Sequence, residues 1–69
     1  MHPKIKKIID VANKRKKKDG LTNKQIAEKS GVSVNYVGRF LNYKIENPLL
    51  AKAHAICVAI GFNFIITIE

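Results

Sequence analysis

Cysteine occurs once in this 69-residue chain, at Cys57. A single thiol excludes an intrachain disulfide and fits a reducing cytosol. Long apolar runs are missing as well, so no stretch approaches the ~20 residues of a membrane-crossing helix. The lysines near the start are not followed by the apolar core of a secretory signal. Histidine is confined to His2 and His54, far apart in sequence, and no Cys/His/Asp cluster has metal-ligand spacing. The five acidic residues, Asp10, Asp19, Glu28, Glu46 and Glu69, form no evident carboxylate pair, and no glycine-rich loop offers to cradle phosphate. The expectation is a protein that is not an enzyme, needs no cofactor or metal, and works in a reducing cytoplasm. His54 reads as an ordinary helix residue. Cys57 reads as a small buried apolar residue, not a nucleophile.

The scarcity of acids leaves thirteen Lys and Arg largely unbalanced, for a net charge of +8 and a pI near 9.9. That level points toward a polyanionic partner such as nucleic acid. Simple solubility is the plainer alternative. An acidic membrane surface fits less well, because the cations do not accompany one exposed apolar face. The 46% hydrophobic content argues for a folded domain. A chain this short buries only about 60% of its unfolded surface, so it gains from forming an oligomer.

Helical spacing organises most of the chain. Pro3 suits a first helical turn. Ile5, Ile8, Ile9 and Ala12 then form a stripe, which predicts a helix from about Pro3 to Lys17. The run Lys14-Arg15-Lys16-Lys17-Lys18 is explained by the helix dipole, which favours cations at a C-terminus. It also supplies phosphate attraction, and the two readings are compatible. Asp19-Gly20 breaks the helix. Thr22 followed by Gln25 has capping-box spacing, with Leu21 as a hydrophobic staple. A second helix follows over Asn23 to Ser30. Gly31 marks a sharp turn, Ser33 caps a third helix over Val34 to Leu41, and Val37, Phe40 and Leu41 form its buried stripe. Asn42 is the candidate for a left-handed C-cap. Asn47 as cap and Pro48 at the first position predict a fourth helix with core residues Leu49, Leu50, Ala53, Ile56, Cys57 and Ile60, ending at Gly61.

The stretch Thr22, Ile26, Ala27, Gly31, Val32, Ser33, Val37, Phe40 resembles the helix-turn-helix of phage Cro and repressor proteins, the Xre/Cro-like family. The likeness extends over residues 5–61. It implies a mainly α, four-helix, lambda-repressor-like domain that binds double-stranded DNA. It also implies that the third helix enters the major groove and meets base edges with its N-terminal residues. Carried over position by position, the base contacts are Val34, Asn35, Gly38 and Arg39. Arginine can donate two bonds to guanine, asparagine can bridge adenine, and a valine methyl can touch that of thymine. Gly38 would let the groove wall approach. Phosphate contacts fall to Thr22, Asn23 and Lys24 at the second helix's start, to Ser33 and Tyr36, and to Asn42, Tyr43 and Lys44 in the following loop. The bland reading of Asn35 and Arg39 is ordinary solvated polar residues. Two departures stand out. Many relatives pair an acidic residue at the end of the third helix with a basic one at the end of the first, and this chain has Leu41 and Lys16 there. Many also carry Gln where this chain has Asn23 and Val34.

The tail changes period. Phe62, Phe64, Ile66 and Ile68 alternate with Asn63, Ile65, Thr67 and Glu69, which predicts a strand. A lone strand leaves its backbone polar groups unpaired. Pairing with the same strand of a second copy about a two-fold axis resolves this. The alternative is a tail packed irregularly on its own helices. The expectation is therefore a helix-turn-helix domain over 1–61 and a dimerisation strand over 62–69. The chain would be a transcriptional regulator, a Cro-like phage or prophage repressor on a pseudo-palindromic operator. An antitoxin-type protein that binds a partner chain and its own promoter is the alternative, and charge-driven nonspecific binding is a second.

Overall fold

The computed structural model describes residues 3–62. They form four helices: α1 (Pro3–Asp19), α2 (Asn23–Ser30), α3 (Val34–Leu41) and α4 (Leu50–Ile60). No strand occurs among the described residues. The strand expected from Phe64, Ile66 and Ile68 lies outside them. Phe62 is described, and it is half-buried against Ile5, Ile8 and Cys57 of its own chain. Phe62 itself is not in a strand, and its ring packs on the core of its own chain.

The sequence pattern and the fold agree closely over α1 to α3. In α1 the stripe buries Ile8, Ile9 and Ala12, and Lys16, Lys17 and Lys18 occupy the last turn. The helix runs to Asp19, two residues past its expected end. Gly20 then turns at φ 67°, and the Leu21 N–H donates to the Lys16 carbonyl at 3.0 Å. Helices α2 and α3 have the expected bounds.

The start of α4 differs. It begins at Leu50, with Leu49 in the cap position at ψ 130° and no side chain capping it. Pro48 precedes the helix, and Asn47 caps nothing. Leu49 and Leu50, expected in the core, are 62% and 66% exposed. The later start turns them outward. The half-buried Ile45 packs against the core from the preceding loop.

A second difference lies at the end of α3. Asn42 has φ −95°, so it does not take the left-handed conformation; Tyr43 does, at φ 60°. The Tyr43 N–H donates to the Phe40 carbonyl at 3.2 Å and the Lys44 N–H to the Arg39 carbonyl at 3.0 Å. That pair of bonds is a Schellman motif, with Tyr43 where glycine is usual. The other three helices end on Gly20, Gly31 and Gly61, all at positive φ. A side chain in this region costs about 1–2 kcal/mol.

The main core is a cluster to which every helix contributes, beside the smaller one formed by Ile8 and Cys57. Ile9 and Ala12 of α1 meet Ile26 of α2, Val37, Phe40 and Leu41 of α3, and Ala53, Ile56 and Ile60 of α4. Phe40 is the largest fully buried side chain. Arg15 lies 6.0 Å from the centre of the Phe62 ring. It also borders Gly61, placing a cation at the α4 C-terminus, which has no basic residue of its own.

Two predictions follow from this packing. Phe40→Ala should cost about 3–5 kcal/mol, a large part of the stability of a domain this size, and urea unfolding should show it as a fall in midpoint. Burial pushes the Cys57 thiol from 9.0 up to about 12. A pKa raised on folding gives a stability contribution that is whole below the unfolded value and is lost as pH rises toward the folded one. The native thiol should therefore resist alkylation at neutral pH and react in urea, and Cys57→Ala should weaken the fall in stability above pH ~9.

Candidate nucleic-acid interface

Helices α2 and α3 are joined by three residues, and local hydrogen bonds fix both starts. The Gln25 N–H donates to Thr22 Oγ1 at 3.1 Å, and the Thr22 N–H donates to Gln25 Oε1 at 2.9 Å, completing a capping box. Gly31 closes α2 at φ 74°, its N–H donating to the Ala27 carbonyl. Ser33 opens α3, its Oγ accepting from the Tyr36 N–H at 3.2 Å.

These caps use the third N–H of each helix. The N–H groups of Asn23 and Lys24 in α2, and of Val34 and Asn35 in α3, have no bonded partner among the described residues. Neither helix has an acidic residue in its first turn. The positive ends of both dipoles are left un-neutralised, as an anion-binding surface requires. The hydroxyls of Thr22 and Ser33 accept in their caps and retain a proton to donate outward.

Burying Val37, Phe40 and Leu41 turns the opposite side of α3 outward. Val34 is 52% exposed, and Asn35 and Arg39 are exposed beside it. Asn35 and Arg39 share one face at i, i+4, with Val34 on its flank. Gly38, also expected on the reading face, is half-buried. A Cβ at Gly38 would stand 3.5 Å from Asn23 Nδ2, an ordinary contact distance, so Asn23 of α2 lies beside this turn of α3. Asn23 Oδ1 is buried without a hydrogen-bond partner among the described residues.

Tyr36 departs further from expectation. Its hydroxyl oxygen is buried and unpartnered among the described residues, so it does not face a phosphate. Its ring instead carries the Lys52 ammonium of α4, 4.7 Å from the centroid, within cation–π range.

The loop after α3 holds Asn42, Tyr43 and Lys44, all exposed. The Tyr43 hydroxyl donates to the Asp10 carboxylate on α1. That bond, reinforced by burial and opposed by a hydrogen bond with Asn13, holds the Tyr43 phenol above its ordinary value. Asn13 Nδ2 donates to the Leu41 carbonyl at 2.9 Å. Asp10 and Asn13 thus bind α1 to the end of α3, where relatives were expected to use an acid–base pair and this chain has Leu41 and Lys16. Sequence reading missed both residues. The available signal was their i, i+3 spacing beside the core stripe of α1.

Among the described residues no group of three or more His, Cys, Asp or Glu could hold a metal ion, and no helix is long and apolar enough to cross a membrane.

Two short helices at a tight turn, the second showing a polar face beside two open helix N-termini, define a helix-turn-helix DNA-binding domain. A scan against protein-family models matches residues 4–64 to the one described as Helix-turn-helix, and the chain belongs to that family. The family is one of DNA-binding regulatory domains, not an enzyme family. The comparisons with curated proteins and with solved structures return no match.

Arg39→Ala should weaken binding to a preferred duplex by ~1–3 kcal/mol and relax preference at one base pair. Equal binding of all duplexes by both proteins, in a competition titration, would remove Arg39 from the reading set.

Proposed function

We propose that this chain is a Cro-like phage or prophage repressor. It binds a pseudo-palindromic operator as a homodimer and blocks transcription there. Val34, Asn35 and Arg39 read base edges in the major groove. The N-termini of α2 and α3, with Thr22, Asn23, Lys24 and Ser33, meet phosphates, as do Asn42 and Lys44 beyond α3. The observation that carries this reading is the outward face of α3 flanked by un-neutralised helix starts. Lys24 adds to it. A cation in the first turn of a helix opposes the dipole, and a bound phosphate, attracted to both, offsets that repulsion.

The dimer comes from the tail. Phe64, Ile66 and Ile68 pair with the same residues of a second copy. Two recognition helices then meet successive major grooves, roughly 34 Å apart. A second reading, an antitoxin-type protein that also binds a partner chain, draws on the exposure of Leu49, Leu50 and Val58.

Selection of bound duplexes from a random pool at physiological salt tests the proposal. A two-fold symmetric site is the expected result. An unenriched pool would defeat the operator reading and leave charge as the driving force. Ile66→Asp should convert the sedimenting species from dimer to monomer, and a mutant that remains dimeric would rule out the strand interface.

A further inference from the structure

We propose that Tyr43 is a positioning residue for DNA binding, tethering the loop that carries Lys44 to α1 through its hydroxyl bond to Asp10. The inference rests on the reading of Lys44 as a phosphate contact. It starts from an anomaly at the helix ends. Three of the four helices hand over to glycine at positive φ, and α3 alone hands over to a residue with a side chain. Strained residues persist where something else holds them, and they cluster at functional sites. Here the holding group is visible: the Tyr43 hydroxyl donates to Asp10. Glycine would satisfy the same Schellman backbone without strain, but it could not reach α1.

The consequence falls on the next residue. The Lys44 N–H is committed to the Arg39 carbonyl at 3.0 Å, so Lys44 leaves α3 in a fixed direction. The Leu41 carbonyl is held from the other side by Asn13 at 2.9 Å. Tyr43, Asp10 and Asn13 thus lock the end of the recognition helix to α1 before any duplex arrives. A charge positioned in advance does not lose its conformational freedom on binding, and that loss weakens association.

Asp10 makes the idea testable by sign. It is one of five acidic residues in a chain of net charge +8. By charge alone, removing a carboxylate beside a phosphate-binding loop strengthens DNA binding. By the tether, removing the acceptor weakens it. Asp10→Leu removes charge and acceptor together, whereas Asp10→Asn removes the charge and keeps an oxygen that accepts from the phenol.

The experiment measures binding of the full chain to a fixed duplex, the selected site or, failing one, a mixed-sequence duplex at low salt, alongside thermal melting. Tyr43→Phe and Asp10→Leu should each weaken binding about tenfold, the scale of one hydrogen bond to a charged group. Asp10→Asn should bind at least as tightly as the parent. Tyr43→Gly separates positioning from stability: its melting temperature should hold or rise while its affinity falls. If Asp10→Leu binds more tightly than the parent, the hydroxyl contacts phosphate itself or charge alone governs, and the tether is overturned. Unchanged affinity in Tyr43→Phe and Tyr43→Gly also overturns it. Lys44→Ala distinguishes the two levels. Loss of affinity there, with the Tyr43 variants silent, defeats the tether alone; no loss there defeats the phosphate reading beneath it.

Discussion

The recognition surface depends on the burial of one side of an eight-residue helix. Isolated helices shorter than about 12–15 residues are marginal in water, and α2 and α3 have eight residues each. They persist because Ile26, Val37, Phe40 and Leu41 share a core with α1 and α4. The outward direction of Val34, Asn35 and Arg39 follows from that burial, since a helix that hides one face presents the other. Packing and recognition are two sides of the same short element.

Electrostatics add a second layer. The chain has five acids against thirteen basic residues, and it places no acid in the first turn of any of the four helices. The arrangement gives up a modest stabilisation at each helix start. In exchange, the surface around α2 and α3 stays open to phosphate. The positive charge is spread more widely, along α1 and its last turn, and under the proposed function it draws a duplex in without fixing its register.

Much of this was legible because local chemistry dictated it. Thr22 with Gln25, Gly31, Ser33 and the Val37–Phe40–Leu41 stripe each specify a backbone state within a few residues, and α2 and α3 formed where those signals placed them. The start of α4 was not legible. Asn47-Pro48 is a good opening signal, yet the chain stays extended through Leu49, and Leu49 and Leu50 stay exposed. The turn after α3 was missed for a related reason. Asparagine tolerates the left-handed region better than tyrosine does, so local preference favoured Asn42. What placed Tyr43 there includes a partner thirty-three positions earlier, and intrinsic preference carries no information about such a contact. Tyr36 shows the same limit: it belonged by position to the reading helix, and its ring carries Lys52 of α4.

The spacing of the helices bears on how quickly the protein becomes competent. Three residues connect α1 to α2, and three connect α2 to α3. The core also draws Ala53, Ile56 and Ile60 of α4 back onto α1 and α2, yet small helical domains fold in roughly microseconds to milliseconds. Translation proceeds at about 5–20 residues per second. A newly made copy is folded almost as soon as it leaves the ribosome, so the lag between expression and occupancy of DNA is set by synthesis, assembly and encounter, not by folding.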